Sequence, residues 1–552
     1  MPGPCRLVFL GGVGEVGRNM ACLELDGRVL VLDAGLSFPG DDMPGIDLVL
    51  PDYQYLRDRA GRIDGVVLTH GHEDHVGALP YLLRELELDV YATRLTLGLL
   101  QPKLVEHRVT ERATLHEITP GTQVRIGAFT ARFMRVSHSI PDGVAVAVDT
   151  PAGTLLHTGD FKLDPTPIDG RVTDLQAIGE EGKRGVHVLL SDSTNAEESG
   201  VILSERTVGP SLFDIFRDAP RLIVTACFSS HIHRIQQICD TARAVGRKVA
   251  FLGRSITNSV GQARELGYMD VPEADIVDVD QLPDLDPRRL VVVSTGSQGE
   301  PMSALSLMAA HEHKWVKLEP KDVVVLSSSV IPGNEASIHH IIDGLYRTGA
   351  DVYHAGIAHV HVSGHAASDE LKLILNLVRP RWFIPVHGER RHLAHHARLA
   401  REVGIPAENI LVCEDGDVVE IGDEVRISTE RVQAGMILVD GLGIGDVGEV
   451  VLRDRRKLAD DGVVVVVVSA DAHTGEVLAG PDIISKGFIH DETSAEILEE
   501  AKERAIASLR EVAAEEVGDP SILKQHIRRS MGRYLFEVTK RKPMIIPVIM
   551  EV

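Results

Sequence analysis

The segment Thr69-His70-Gly71-His72-Glu73-Asp74-His75 places three histidines and an aspartate within six positions. Imidazole and carboxylate are the groups that hold zinc or manganese, and four of them so close together cannot all point into an apolar core. Donors that leave the chain in different directions suit two neighbouring metals better than one. More candidates stand just after other apolar runs, each beside a small residue: His138 in Val136-Ser137-His138-Ser139, Asp160 in His157-Thr158-Gly159-Asp160, and His387 in Ile384-Pro385-Val386-His387-Gly388. Any one of them alone is more often a capping or core residue; beside the histidine-rich turn they complete a ligand set. Two divalent ions about 3.5 to 4 Å apart share a water, lower its pKa toward neutrality and let hydroxide attack phosphorus in line.

Such donors need rigid strand ends to hold them. Gly65 to Leu68 reads as a buried strand and Glu73 to Arg84 as a helix, so His70 and His72 fall on the connecting loop. Asp74 and His75 open the helix, whose dipole helps keep Asp74 ionised. From Cys5 to Asp160 the chain is mostly short strands: Cys5 to Leu10, Ala21 to Asp26, Val29 to Asp33, Val124 to Arg135, and Val144 to His157 with a turn at 151–153. A second helix is expected from Leu95 to His107. After about Ser204 strand and helix alternate: Arg221 to Ala226 then Ile232 to Val245, Lys248 to Leu252 then Ser259 to Leu266, Leu290 to Ser294 then Met302 to Ala310, Val323 to Ser327 then Glu335 to Thr348. That rhythm predicts a parallel sheet with right-handed crossovers. Its strands run into small polar loops, Cys227 to Ser230, Gly253 to Ser255, Ser294 to Gly299 and Ser327 to Ser329, the places where open α/β sheets bind anions. A further alternation runs from Asp351 to about Gly422. The tail holds a six-valine strand from Val463 to Val468, a Glu-rich helix from Ser494 to Val517, a basic stretch and a last strand, Met544 to Met550.

At 552 residues the chain is long enough for several domains, and 44% apolar with 25% charged residues is globular composition, which excludes disorder and collagen-like repeats. No window reaches the roughly 18 apolar residues of a membrane span, and no signal peptide is visible, so a soluble cytoplasmic protein is expected. Five scattered cysteines without a Cys-x-x-Cys pair indicate neither a disulfide framework nor a thiolate zinc site.

These residues, in this order, resemble the metallo-β-lactamase superfamily, whose five motifs are matched by Asp33, the His70 to His75 turn, His138, Asp160 and His387. More narrowly, the chain resembles the bacterial β-CASP nucleases over essentially its whole length. The motifs are Ala34-Gly35-Leu36-Ser37-Phe38-Pro39, Leu190-Ser191-Asp192-Ser193-Thr194-Asn195, Thr295-Gly296-Ser297-Gln298-Gly299-Glu300-Pro301, His361-Val362-Ser363-Gly364-His365 and Pro547-Val548-Ile549-Met550-Glu551-Val552. The resemblance implies an α/β fold: an αββα sandwich over 1–205 and 346–445, a β-CASP parallel α/β insertion over 206–345, and a linker with a small α+β C-terminal domain over 446–552 that serves assembly. It implies one metal held by His70, His72 and His138, another by Asp74, His75 and His387, and Asp160 as the bridge. It further implies Asp192 and His365 as the acid and base pair, a substrate-phosphate pocket lined by His361, Val362, Ser363, Gly364 and His365, and a structural calcium at the Gly45 carbonyl, Asp47 and Asp440.

The activity so implied is hydrolysis of RNA phosphodiesters with zinc or manganese. It runs 5′ to 3′ from 5′-monophosphate ends with some endonuclease activity, in rRNA maturation and mRNA decay. The enzyme would be a homodimer or homotetramer, with other RNA-decay proteins as partners. Chemistry is compatible: His365 has a fitting intrinsic pKa to protonate the leaving 3′ oxygen, and Asp192 can fix its tautomer. Asp192 as a turn-former and His365 as a residue that orients a metal ligand remain open alternatives.

Gly12-Val13-Gly14-Glu15-Val16-Gly17, with Asp33 farther on, formally meets the dinucleotide fingerprint. Asn19 to Asp26 nevertheless reads as a strand where that fingerprint demands a helix, so the loop is assigned to flank the metal site and Asp33 to orient a ligating histidine. With 57 basic and 81 acidic residues the net charge is −24, which argues against a general polyanion binder. Between His526 and Pro543 six Arg and Lys oppose only Glu537, a stretch that suits a solvated helix face or RNA equally. At 4% aromatic residues, extended base stacking is not expected. Two rivals are weighed: a small-molecule hydrolase, which would not need the inserted block with its Ser-Gly loops, and a non-catalytic RNA-binding scaffold, which would not need the full ligand set.

Overall fold

The computed structural model describes the chain apart from residues 1–4, 41, 301, 332–333, 472–476, 490–494, 514–519 and 552. Pro301 and Val552 of the motifs above, and both ends of the Glu-rich helix, lie outside the described residues; Ala495–Ala513 is helical. The chain divides into two compact units, Met1–Phe38 with Leu48–Ile437, and Pro39–Asp47 with Leu438–Val552.

In the larger unit, runs that are apolar on both sides become central strands. Arg28–Leu32 lies beside Met20–Leu25 and Ile63–Val67 in an eight-stranded sheet ordered Val425–Arg431, Asp417–Ile421, Cys5–Gly11, Met20–Leu25, Arg28–Leu32, Ile63–Val67, Leu88–Ala92, Ala113–Glu117. A six-stranded sheet runs Trp382–Val386, Val186–Asp192, Gly153–His157, Gly143–Thr150, Phe129–Val136, Gln123–Ile126. The two sheets share one core, in which Phe9, Leu23, Leu30 and Val67 meet Phe133, Val146, Leu155, Val188 and Ile384. On the outer face of the six-stranded sheet Met134, Leu156, Leu189 and Phe383 pack against Ile178, Leu371 and Ile374. This is the expected αββα sandwich.

The inserted block is a five-stranded sheet ordered Lys248–Leu252, Leu290–Ser294, Ile223–Ala226, Val323–Leu326, Asp351–Tyr353, with every pair parallel. Alternate residues of the same strands bury on opposite faces. Ile223, Val249, Val291 and Val323 meet Ile235, Ile238 and Val260, while Val224, Ala250, Val292 and Val324 meet Leu305, Met308, Ile338 and Leu345. After this block the chain re-enters the sandwich as Trp382–Val386, parallel to Val186–Asp192 with Val386 opposite Asp192. That pairing delivers His387 to the strand ends where the earlier donors stand.

Several elements depart from the sequence expectation. The helix Glu73 to Arg84 is two short helices, Glu73–Val76 and Leu79–Leu82; at Gly77, between them, a Cβ would meet Leu36 at 2.5 Å. Val124 to Arg135 is a hairpin, turned at Gly127 with φ +53°. The helix expected from Ser259 begins at Arg254, directly after Gly253, so the Gly253 to Ser255 loop is largely helix. The helix Leu175–Arg184 was not expected at all. Its Gly179 and Gly182 lie against Leu377 and Val378, so the glycines that mask it in the sequence are what allow the close packing.

In the smaller unit Val463–Ala470 lies between Val477–Lys486 and Met544–Glu551. Val464, Val466 and Val468 pack on Leu509, Ile527, Met531 and Leu535 of the helices Ala495–Ala513 and Pro520–Thr539, while Ile484, Ile546, Val548 and Met550 stand exposed.

Candidate metal centre and the adjoining Asp192–His365 pair

The strand ends carry seven donors to one place. His70, His72, His138 and Asp160 form one cluster, and Asp74, His75, Asp160 and His387 a second, with the ligand atoms of each within 4.8 Å of one another. Asp160 belongs to both. Its Oδ2 stands 3.2 Å from His75 Nε2, 3.5 Å from His387 Nε2, 3.7 Å from His70 Nε2 and 3.9 Å from His138 Nε2.

Each histidine has one ring nitrogen engaged away from this centre and the other turned into it. His75 Nδ1 meets Asp33 Oδ2 at 2.8 Å, and His138 Nδ1 meets the Gly364 carbonyl at 2.7 Å. His387 Nδ1 meets Thr194 Oγ1 at 2.6 Å, His72 Nε2 meets Ser139 Oγ at 3.2 Å, and His70 Nδ1 meets Thr69 Oγ1 at 3.1 Å. Inward, His72 Nδ1 and His138 Nε2 face each other at 3.2 Å, and His387 Nε2 lies 3.2 Å from Asp74 Oδ2. His70 Nε2 is buried with no hydrogen-bond partner. A carboxylate or carbonyl can only accept, so Nδ1 of His75 and of His138 carries the proton and Nε2 offers its lone pair inward. Five imidazoles so arranged, with an orphaned buried nitrogen among them, fit divalent cations that take up their lone pairs.

Electrostatics agree with the geometry. Burial pulls His70 and His138 well below the ordinary histidine value and His72 to about 4, so all three are neutral imidazoles at neutral pH. In the other cluster burial pulls His75 down, but Asp160, Asp33 and Asp74 outweigh it and hold it well above the ordinary value; Asp160 and Asp192 do the same for His387. Carboxylate charge in that half calls for a cation.

The backbone explains the placement. Asp33 ends its strand in the left-handed region, φ +61°, donates its N–H to the Val67 carbonyl and accepts from Thr69 N at 2.7 Å, which fixes the start of the histidine turn. Gly35 lies so close behind that turn that a Cβ would fall 1.6 Å from the Asp74 carbonyl oxygen. His387 also has positive φ, +56°, and donates its N–H to the Gly12 carbonyl. The glycine loop thus flanks the site, and a strand, Met20–Leu25, follows it.

Asp192 Oδ2 accepts from His365 Nδ1 at 2.8 Å, while its Oδ1 accepts from Thr194 N and Oγ1 at 3.0 and 2.9 Å. Asp192 therefore forms a turn and holds an imidazole as well. Burial lowers His365, but the Asp192 carboxylate prevails and raises it. Asp160, Asp192, His365 and His387 are themselves mutually within 4.8 Å. The 361–365 loop closes the side: Ser363 Oγ accepts from Asn195 Nδ2 at 2.8 Å, and His361 Nδ1 is buried without a partner. A side chain at Gly364 would stand 2.7 Å from the His138 ring. Val362 is buried beside them. Thr69, Thr194 and Ser139 were not singled out for these roles from sequence; Thr69 and Ser139 adjoin His70 and His138, which is the one signal available, and Thr194 stands two positions after Asp192.

The residues proposed for calcium are differently engaged. Arg455 donates to the Gly45 carbonyl at 3.2 Å and pairs with Asp440, while Asp47 Oδ2 accepts from Gly441 N at 2.7 Å. Arg455 thus takes up the Gly45 carbonyl and Asp440, and Asp47 is turned to a backbone N–H.

Sandwich, inserted parallel sheet and paired clusters of histidine and aspartate donors define a metallo-β-lactamase-type hydrolase with a β-CASP insertion. Family models match in that order: the metallo-β-lactamase superfamily over residues 13–198, the ribonuclease J β-CASP domain over 220–345, the Zn-dependent metallo-hydrolase RNA specificity domain over 351–410 and the ribonuclease J C-terminal domain over 450–552. The chain is 43% identical to ribonuclease J of Mycolicibacterium smegmatis (100% of this chain, 98% of that one) and 44% to ribonuclease J of Mycobacterium tuberculosis H37Rv (100% and 99%). It is 41% identical to ribonuclease J2 of Bacillus subtilis 168 (99% and 98%). A crystal structure of a protein of unknown function from Enterococcus faecalis V583 shares the fold at 14% identity, TM-score 0.53, over 76% of this chain and 100% of that one. The chain belongs to the ribonuclease J family, metal-dependent ribonucleases of the metallo-β-lactamase fold. Among the described residues no helix is long and apolar enough to cross a membrane.

Proposed function

We propose that this chain hydrolyses RNA phosphodiesters 5′ to 3′ from 5′-monophosphate ends, with some endonucleolytic cleavage, in cytoplasmic rRNA maturation and mRNA decay. His70, His72 and His138 hold one divalent ion, Asp74, His75 and His387 the other, and Asp160 both. The observation that carries this reading is the set of inward-turned ring nitrogens around one shared carboxylate oxygen. Zinc or manganese bound there supplies an activated water and charge neutralisation for in-line hydrolysis. Asp192 holds His365 Nδ1 and raises its basicity, so the imidazolium is stocked with a proton for the leaving 3′ oxygen. Thr194 ties the same aspartate to His387 and keeps acid and ligand in register. The 361–365 loop receives the terminal phosphate next to these groups. The exposed apolar strand face of the smaller unit supports assembly as a homodimer or homotetramer, with other RNA-decay proteins as further partners. All five cysteines are free and buried, which suits a reducing compartment.

The test is a digest of 5′-end-labelled RNA with metal analysis of the same sample. Chelation should stop mononucleotide release and added zinc or manganese restore it, while His72→Ala and Asp74→Ala should lose turnover yet still bind RNA. Wild-type rates in either variant would overturn the metal assignment.

A further inference from the structure

Behind the 361–365 loop lie two cations almost wholly removed from water. Arg234 is 0% exposed and Lys162 1%. One edge of the Arg234 guanidinium is spent on Glu205, Nε to Oε1 at 2.7 Å and Nη2 to Oε2 at 2.9 Å. The other edge reaches forward: Nη1 donates to the Val360 carbonyl at 2.7 Å and to the Ser327 hydroxyl and carbonyl at 2.7 and 3.1 Å. Lys162 Nζ donates to the Ser363 carbonyl at 3.3 Å and stands 3.6 Å from Asp164 Oδ2. That same Asp164 oxygen accepts the backbone N–H of Glu205 at 2.9 Å. Lysine, aspartate, glutamate and arginine therefore form one connected, charge-balanced network whose two cations touch the two ends of the loop.

Burying charges is costly unless each is paired, and a coil needs no such support merely to persist at a surface. The contacts have a directional consequence. In a planar trans peptide the carbonyl and the following N–H point opposite ways. With the Val360 and Ser363 carbonyls drawn back to the cations, the N–H groups of His361 and Gly364 are turned the other way, free to donate to an anion in front of the loop.

We propose that Lys162 and Arg234 are positioning residues for 5′-phosphate recognition: they pin the loop's carbonyls from behind so that its N–H groups face the terminal phosphate. The proposal rests on the reading of the 361–365 loop as the phosphate pocket. Neither side chain touches the substrate.

The experiment compares kcat/KM on RNAs of one sequence bearing a 5′-monophosphate or a 5′-hydroxyl, using full-length, metal-loaded protein. Lys162→Met should lower the monophosphate-to-hydroxyl ratio about tenfold, through KM for the monophosphate substrate, with hydroxyl turnover within about twofold of wild type. Lys162→Gln, which keeps a neutral donor for the Ser363 carbonyl, should recover part of the ratio. Arg234→Lys, whose ammonium cannot serve Glu205 and Val360 together as the planar fork does, should shift it in the same direction as Lys162→Met. If Lys162→Met does not fold, the other two variants decide the matter. An unchanged ratio, or equal losses on both substrates, would overturn the proposal alone; a wild-type protein with no preference between the ends would overturn the pocket reading beneath it.

Discussion

Asp33 shows how much a single residue outside the ligand set decides. Its carboxylate, 1% exposed, accepts hydrogen bonds from His75 Nδ1 and from the hydroxyl and N–H of Thr69, and lies 3.8 Å from His157. Burial pushes its pKa up, but the His75 charge and hydrogen bond, with the nearby His157, hold it below the usual carboxylate range. An amide at this position would offer its acceptor or its donor to an imidazole that needs an acceptor only, and the His75 tautomer would no longer be fixed. Asp33→Asn should therefore weaken metal binding by about 10- to 100-fold, read by competition with a metallochromic chelator, with little change in the circular dichroism spectrum. Unaltered affinity would show that Thr69 alone orients the ring. Asp33 stands outside the donor clusters: it faces Nδ1 of His75, away from them.

At the level of elements, the glycine loop of residues 11–17 is braced by the turn around Asp415. Asp415 Oδ1 accepts from Val13 N at 3.1 Å, and Arg18 lies between Asp415 and Glu15, 3.7 Å from the former. Burial first, and then the Glu15 charge, push the Asp415 carboxyl up to about 7. A carboxyl whose folded value exceeds its unfolded one binds its proton more tightly in the folded state. Stability is therefore lost as pH rises from about 4 toward 7, opposite to the usual aspartate. Asp415→Asn keeps an acceptor for Val13 and removes the charge, so its melting temperature should gain on wild type more at pH 8 than at pH 5. An equal difference at both would dissociate the carboxylate from this brace. The elements also show what the sequence makes legible. The His70 to His75 turn is readable because four donors in six positions have no packing explanation, and the inserted sheet because its strands are short apolar runs at regular spacing. The break at Gly77 is invisible because it depends on where Leu36 arrives, and the helix Leu175–Arg184 because Gly179 and Gly182 lower local propensity to let Leu377 approach. The Arg455 contact to Gly45 is invisible for the same reason: it joins positions 410 apart in sequence.

Across the whole molecule, the cluster at the strand ends gathers residues from 70 to 387, whereas Pro39–Asp47 with Leu438–Val552 has a core of its own. Cations bound at the former stabilise only the unit that contains them. Calorimetry should resolve two transitions, and a chelator should lower the melting temperature of the larger by several degrees while leaving the smaller in place. Movement of both would mean that the units unfold together. The strand Trp382–Val386 completes the sandwich only after the inserted block has been traversed, and it brings in the last donor, His387. During synthesis, then, a ribosome must read past codon 387 before the emerging polypeptide holds all seven of these side chains.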